Sequence, residues 1–222
     1  MKKILVGFVA CIAMASANAA IIIDNTVTGT ITNDFNALPA GNITGLLSQT
    51  GANYGERFSG QVLSTAGGFD SLTGTPTGPL SLLANAVSTD NIGIFSQVIY
   101  GDLNSTQGEG ALSILLAANT DVFGFDVVGS NGGAFTAQFF RNDGSLIDTI
   151  TQSGGGIVDF FGFRATGGDL IAGVTITNTD SAGVAYDNVT FNQVAVGVPE
   201  PASVALLGLG LLGLGFSRRN KA

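Results

Sequence analysis

Short apolar runs alternate with clusters of Gly, Asn, Asp and Ser from residue 20 to residue 198. β-branched residues and phenylalanine are frequent in these runs, and no long segment repeats good helix formers with a 3.6-residue period. Short apolar runs separated by turn residues are typical of antiparallel β-sandwiches and barrels. The pattern therefore predicts an all-β fold. In the second half we expect strands at residues 92–100, 111–117, 122–128, 134–141, 146–151, 157–165, 170–177 and 184–191.

The first half of this region is less regular. Residues 21–32 predict the first strand, because threonines alternate there with Val27 and Ile31. Residues 42–90 contain many glycines and two prolines, which indicates irregular chain. Within that stretch we expect short strands at residues 57–63 and 80–84, and a helical turn at residues 46–47 or 84–87.

The connections between the later strands are short. Residues 142–145, Asn-Asp-Gly-Ser, are typical of a β-hairpin, because Asn, Asp and Gly tolerate the φ values that tight turns require. Further turn clusters lie at residues 153–156, 167–169 and 178–183. Consecutive strands with short connections usually lie side by side, so we expect neighbouring antiparallel strands at each of these turns.

Six phenylalanines are spaced two or four residues apart in pairs within their runs, so each pair lies on one face of its strand. Such a stripe forms either a buried core or a platform for sugar rings. The chain has no Trp and only three Tyr, and Phe has no polar tip to hold it at a wet surface. The stripe therefore indicates a core. The residues are Phe123, Phe125, Phe135, Phe139, Phe161 and Phe163.

The N-terminal residues predict a secretory signal peptide. Two lysines are followed by an apolar segment at residues 4–15, and Ala17 and Ala19 fit the small-x-small cleavage rule. We expect cleavage after Ala19 and export through the Sec translocon. The alternative is a lipoprotein acylated at Cys11, but the residues before this cysteine are a poor match to that signal.

The C-terminal residues predict a single transmembrane-like helix. Residues 202–216 carry no charge, and at roughly 1.5 Å per residue they form a helix of about 22 Å. This length is short of the ~30 Å hydrocarbon core of a bilayer, so the segment is a marginal span. Arg218, Arg219 and Lys221 follow it, and such a basic flank favours the cytoplasmic side.

Pro199, Glu200 and Pro201 precede this helix, and the two prolines favour an extended, accessible tripeptide. The tripeptide, the Leu- and Gly-rich helix and the basic end together resemble the PEP-CTERM sorting signal of exported proteins from Gram-negative, polysaccharide-producing bacteria. The resemblance implies recognition by an exosortase, a membrane protease-transpeptidase, and removal of the helix and basic end. An ordinary membrane anchor is the alternative, although an anchor has no need of the tripeptide. The expected organisation is a signal peptide (1–19), a β-sandwich domain (20–197) and a sorting tail (198–222).

The charge and composition of the exported portion exclude several functions. Residues 20–198 contain 15 acidic residues and only three arginines, which gives a net charge of −12. Affinity for phosphate backbones comes from Lys and Arg, so we expect no nucleic-acid partner. The chain has no histidine, and its only cysteine lies in the predicted signal peptide. Ser-His-Asp and Cys-His catalysis, His- or Cys-ligated zinc and disulfides are therefore excluded. A carboxylate pair remains possible, with Glu56 and Glu109 as its glutamates.

Asp187 is a candidate ligand for a structural Ca²⁺. In a regular strand it shares a face with Ala185, Val189 and Phe191, and a buried carboxylate needs a partner. Calcium takes oxygen ligands, and few basic residues are available instead. The Asp-Asn-Val-x-Phe run also resembles the last strand of jelly-roll domains in many PEP-CTERM proteins and carbohydrate-binding modules, which implies a calcium that joins the first and last strands, with Asp34 as a second ligand. In the alternative, Asp187 faces solvent or caps a turn.

Three functions agree with these observations. The first is a non-enzymatic surface or matrix protein, sorted by an exosortase and associated with extracellular polysaccharide or biofilm. The second is a carbohydrate-binding module, which the jelly-roll resemblance favours and the shortage of Trp and Tyr weakens. The third is a polysaccharide-active enzyme that uses two carboxylates.

Overall fold

The computed structural model describes residues 20–192, which form nineteen β-strands and one 3₁₀ turn at Ser88–Asp90. The predicted signal peptide and sorting tail lie outside these residues. The strands are β1 (Ile21–Ile23), β2 (Ile31–Asn33), β3 (Gly41–Ile43), β4 (Leu47–Gln49), β5 (Ala52–Gly55), β6 (Arg57–Phe58), β7 (Val62–Ala66), β8 (Phe69–Thr73), β9 (Leu82–Leu83), β10 (Ile92–Phe95), β11 (Val98–Leu103), β12 (Thr106–Gly110), β13 (Leu112–Thr120), β14 (Val122–Val128), β15 (Ala134–Phe140), β16 (Leu146–Ser153), β17 (Val158–Ala165), β18 (Ile171–Asn178) and β19 (Ala185–Phe191).

Two large antiparallel sheets form the sandwich. The nine-stranded sheet has the order β1-β17-β14-β19-β11-β10-β3, with β12 added beside β11 and β2 beside β19. The six-stranded sheet has the order β16-β15-β18-β13-β5-β4, and two small hairpin-like sheets pair β6 with β9 and β7 with β8. The predicted all-β antiparallel sandwich is confirmed. Within the described residues, no helix is long and apolar enough to cross a membrane.

Phenylalanine rings from both large sheets fill one core. All six of the predicted phenylalanines are buried in the main cluster. Phe125 on β14 lies at the centre of this cluster, with its ring 5.5 Å from Phe135, 5.8 Å from Phe163 and 5.5 Å from Tyr186. Most of these ring pairs meet edge to face, the arrangement that the charge distribution of aromatic rings prefers. The predicted aromatic core is confirmed.

The later strands form close to their predicted bounds, and the turn at residues 142–145 joins β15 to β16 as a hairpin. Gly144 adopts φ +83° there, and the N–H of Arg141 donates to the Ser145 carbonyl at 2.9 Å. At the other three turn clusters the expectation of neighbouring strands is wrong. The connections β16–β17, β17–β18 and β18–β19 each cross from one sheet to the other. Turn residues specify where a chain reverses, but the partner depends on which faces must be buried together.

Two segments that were each predicted as one strand form two strands in the structure. Residues 21–32 break into β1 and β2, because the Asp24 side chain and carbonyl accept hydrogen bonds from Thr26 and Val27 and turn the chain between them. Residues 92–100 contain the hairpin β10–β11, with Ser96 and Gln97 at φ +48° and +71°. Positive φ at two successive turn residues matches the twist of a two-residue hairpin, although Gly and Asn are the usual residues there.

Residues 42–90 are more regular than expected, since the chain forms all or part of seven short strands there. The predicted strand at 57–63 divides into β6 and the start of β7, and that at 80–84 narrows to β9. The helical turn lies at Ser88–Asp90, whereas Leu47 belongs to β4. The glycines in this stretch therefore separate short strands rather than indicate irregular chain.

Candidate functional site

A row of three aliphatic residues and one tyrosine crosses the outer face of the nine-stranded sheet. The strand register pairs Val158 with Val128, Val128 with Ala185, and Ala185 with Tyr100 across β17, β14, β19 and β11. Neighbouring residues on these strands, such as Val127, belong to the core. Because side chains alternate along a strand, the row faces away from the core.

A cavity of about 350 Å³ lies over Val128, Ala185 and Tyr100 of this row. Phe95, the last residue of β10, pairs with Val98 beside the cavity and is 53% exposed. Among residues 20–192 it is the only exposed aromatic residue. The cavity is lined by Phe95, Ser96, Val98, Tyr100, Gln107, Gly108, Val128, Gly129, Ala182, Gly183, Val184 and Ala185. None of these residues is charged.

Asp180 holds one wall of this cavity in place. Its carboxylate is fully buried and accepts hydrogen bonds from the Ser130 hydroxyl at 2.7 Å and from the backbone N–H groups of Asn131, Gly133 and Ala182. Burial alone raises the pKa of Asp180, but these hydrogen bonds outweigh it and lower the pKa. The ionised carboxylate therefore ties the loop after β14 to the loop before β19.

The structure corrects the predicted position of Asp187. Gly124 pairs with Thr190 whereas Asp126 pairs with Asp187, so β19 has one extra residue at this point. Such a β-bulge interrupts the alternation of faces, and Asn188 has φ +47° there. Tyr186 is therefore in the core together with Val189 and Phe191. Asp187 lies opposite Asp126 on the outer face.

The environment of Asp187 agrees with the hydrogen-bonded alternative. Its Oδ1 accepts the N–H of Asn188 at 2.8 Å. Partial burial raises the pKa of Asp187, and the charges of Asp126 and Asp34 raise it further. Asp34 is exposed and accepts the N–H of Asn36. The two candidate ligands thus lie near each other, but no group of three or more acidic side chains in residues 20–192 could hold a metal ion.

Two other carboxylates are buried without full hydrogen bonding. Asp70 on β8 is 4% exposed and Asp102 on β11 is 1% exposed. Burial raises the pKa of each to about 6, and the charge of Asp90 contributes in the same direction. Asp70 Oδ2 accepts the N–H of Ala111, and Asp102 Oδ2 accepts the amide of Asn42. The Oδ1 atom of each has no hydrogen-bond partner within the described residues.

The two candidate catalytic glutamates differ in environment. Glu56 is fully buried, and its carboxylate binds the Arg57 guanidinium and the Asn85 amide. Glu109 lies half-buried on β12. The cavity at Phe95 is lined by neither residue.

Residues 20–192 thus form an all-β sandwich that carries a cavity with an uncharged lining on the outer face of its larger sheet. The family model of the PEP-CTERM protein-sorting motif matches residues 197–219. This match confirms the predicted sorting tail and is consistent with an exosortase substrate. The matched range contains Pro199, Glu200, Pro201, Arg218 and Arg219, and Lys221 lies beyond it. No curated protein and no solved structure matches the chain.

The sorting motif has direct consequences for localisation. It implies export, processing by an exosortase, which is a membrane enzyme, and membrane-associated sorting to the cell surface. The match covers the tail alone and does not describe residues 20–192.

Sequence reasoning missed the cavity and the buried carboxylates Asp70, Asp102 and Asp180. The cavity lining comes from four separate chain segments, and no periodic pattern connects them. The sequence pattern predicts one uninterrupted strand at residues 92–100, whereas Phe95 ends β10 at the turn of a hairpin. The Asn-x-Asp run at residues 178–180 was a usable signal for Asp180, since Asp residues in turns accept backbone N–H groups.

Proposed function

We propose that this chain is a non-enzymatic protein of the cell surface or extracellular matrix, associated with extracellular polysaccharide in a biofilm. The observation that carries the proposal is the sorting motif at residues 197–219. The motif accounts for delivery, and residues 20–192 are then the part that acts at the destination.

The charge of the domain supports this function. Residues 20–198 have a net charge of −12, which favours solubility and repels nucleic acid and anionic lipid. The domain has no disulfide, so its stability comes from packing of the phenylalanine core. Such a domain suits a hydrated polymer, because its folding requires neither a membrane surface nor a partner that forms disulfides.

The non-enzymatic role is supported by the state of the candidate catalytic groups. The Glu56 carboxylate is occupied by Arg57 and Asn85 and is closed to solvent. A glycosidase needs two carboxyl groups that face each other across an open cleft. A screen for hydrolysis of extracellular polysaccharides tests the enzymatic alternative. Hydrolysis by the wild-type protein would overturn the non-enzymatic proposal, and Glu56→Gln and Glu109→Gln would then show whether either glutamate is required.

Cell fractionation tests the destination. In a host with an exosortase and its polysaccharide, we expect the wild-type protein in the polysaccharide fraction. The Pro199→Ala/Pro201→Ala double variant should stay in the inner membrane, because the rigid tripeptide that marks the tail is lost. Wild-type protein that is free in the medium, with none in the polysaccharide fraction, would contradict the association.

A carbohydrate-binding module is the second candidate, and the exposed Phe95 ring beside an uncharged cavity favours it. The six core phenylalanines are unavailable for this purpose because they are buried. The two candidates differ in whether the isolated exported protein binds a purified polysaccharide. A carbohydrate-binding module should bind it, whereas a protein that is only retained physically in the matrix should not.

A further inference from the structure

We propose that the cavity beside Phe95 binds one or two uncharged pyranose rings of a neutral polysaccharide. This inference rests on the proposed association with extracellular polysaccharide and names the site and the ligand class. The argument depends on four properties of the cavity: its shape, its charge, its position in the sheet and its rim.

The size and floor of the cavity fit a sugar ring. Its volume of about 350 Å³ lies at the small end of the roughly 300–1,000 Å³ that is usual for ligand pockets. Val128, Ala185 and Tyr100 lie side by side on three adjacent strands and line one side of the cavity. A pyranose ring has a face of C–H groups that can lie against such side chains. A long oligosaccharide would extend beyond this space.

Phe95 supplies the aromatic contact. It is 53% exposed and stands at the end of β10, beside Val98. The face of an aromatic ring carries partial negative charge, and the C–H groups of a sugar carry partial positive charge. A ring that is already held at the surface by a hairpin loses little conformational freedom when the ligand binds.

The lining excludes charged ligands. No residue of the cavity wall is charged, and residues 20–198 have a net charge of −12. An acidic polysaccharide would meet repulsion without any Lys or Arg to offset it. A cationic ligand would find no carboxylate in the wall. The ligand is therefore neutral.

The position in the sheet excludes peptide strands. β14, β19 and β11 each pair with strands on both sides. β12 pairs with β11 alone, but its Gly108 carbonyl already accepts the N–H of Val184, so an added strand would have to displace that contact. The rim carries the exposed polar residues Ser96 and Gln107. The side chains of Ser96 and Gln107 can form hydrogen bonds with the hydroxyl groups of a sugar. An acyl chain would bury the same two side chains without offering them a hydrogen-bond partner.

The test is affinity electrophoresis of the exported protein in gels that contain dextran, galactomannan or alginate. We expect retardation by at least one of the two neutral polymers and none by alginate. Phe95→Ala should weaken that binding by about tenfold or more, and Phe95→Trp should preserve it because the aromatic face remains. Ile157→Ala is the matched control, since Ile157 is 86% exposed and lies outside the cavity.

A second readout locates the ligand. In NMR spectra with the retarding neutral polymer or its oligosaccharide, the amide signals of Gly108, Gly129 and Gly183 should shift, because these residues line the cavity. Unchanged binding by Phe95→Ala together with unshifted glycines would overturn the site but leave the polysaccharide association intact. Binding of alginate alone would overturn the neutral ligand. A wild-type protein that binds none of the three polymers would overturn the site, whereas the association itself is decided by the fractionation experiment with the host polysaccharide.

Discussion

The N–H of Ala111 donates a 2.9 Å hydrogen bond to Asp70 Oδ2, while Oδ1 of the same buried carboxylate has no partner within the described residues. Asp102 has the same imbalance, with only its Oδ2 bound by Asn42. A buried charge with half of its acceptors unused favours the protonated form. The pKa of each group is therefore raised to about 6.

These two groups predict a pH dependence of stability. Between about pH 4 and pH 6 the folded state binds more protons than the unfolded state, so the free energy of unfolding falls as the pH rises through this interval. The stabilisation of the folded state by protonated Asp70 and Asp102 is fully present below the pKa that these groups have in the unfolded chain. It is lost above about pH 6. Denaturant unfolding at pH 4.5 and pH 7 measures it.

The Asp70→Asn/Asp102→Asn double variant should remove most of this decline, on the order of 2 kcal/mol per carboxyl, because Asn can retain the acceptor oxygen without the charge. Asp143→Asn lies at an exposed turn where hydrogen bonds from Ser145 lower the pKa of the carboxyl group, so this variant should not reduce the decline although it also lowers the negative charge. An equally steep decline in the double variant and in the wild type would contradict the assignment.

The Asp180 carboxylate should give the opposite pH dependence of the free energy of unfolding. Hydrogen bonds to its carboxylate lower its pKa, so its stabilisation is present above the unfolded pKa and is lost as the pH falls through the folded pKa. Asp180→Asn should cost about 1–3 kcal/mol at pH 7, because a charged acceptor of buried N–H groups is replaced by a neutral one. Asp143→Asn is again the control, and an equal loss of stability in both variants would contradict the role of Asp180.

Truncation of Phe125 measures how much packing in the core contributes to the free energy of unfolding. Its ring contacts Phe123, Phe135, Phe163 and Tyr186. Phe125→Ala should lower the free energy of unfolding by about 3–5 kcal/mol, because it leaves a cavity in a packed interior. Phe95→Ala, the same substitution at an exposed ring, should have little effect on the melting temperature. Similar melting temperatures for the two variants would contradict the central position of Phe125.

The calcium hypothesis has a direct test at Asp187. The carboxylate accepts the N–H of Asn188, and its pKa is raised by partial burial and by its acidic neighbours. We therefore expect EGTA to leave the melting temperature unchanged, and Asp187→Asn to maintain or raise it because a penalised charge is removed. A lower melting temperature with EGTA, abolished in Asp187→Asn, would instead show that calcium joins Asp187 to the first strands.

The sequence predicted the fold where local patterns determine it. Alternating phenylalanines such as Phe161 and Phe163 identified the core, because burial of large apolar side chains dominates folding. Asn142 to Ser145 identified a hairpin, because the turn residues are strongly preferred. These signals lie within a few residues of the structure that they specify.

Other features depend on contacts between distant segments. The extra residue of β19 is visible only from its pairing with β14, so strict alternation placed Asp187 on the wrong face. The hairpin at Ser96 and Gln97 uses residues that rarely form such turns. Whether a short connection stays in one sheet or crosses to the other depends on the whole sandwich, and no local sequence pattern determines it.

The sorting tail supports the account of delivery, and one measurement tests it most directly. The intact mass of the exported protein should be determined in a host with its exosortase and in the same host without it. The account predicts a product that lacks Arg218 and Arg219 in the first host and retains them in the second. A product that retains both arginines in both hosts would contradict the account, since residues 197–219 would then act only as a membrane anchor.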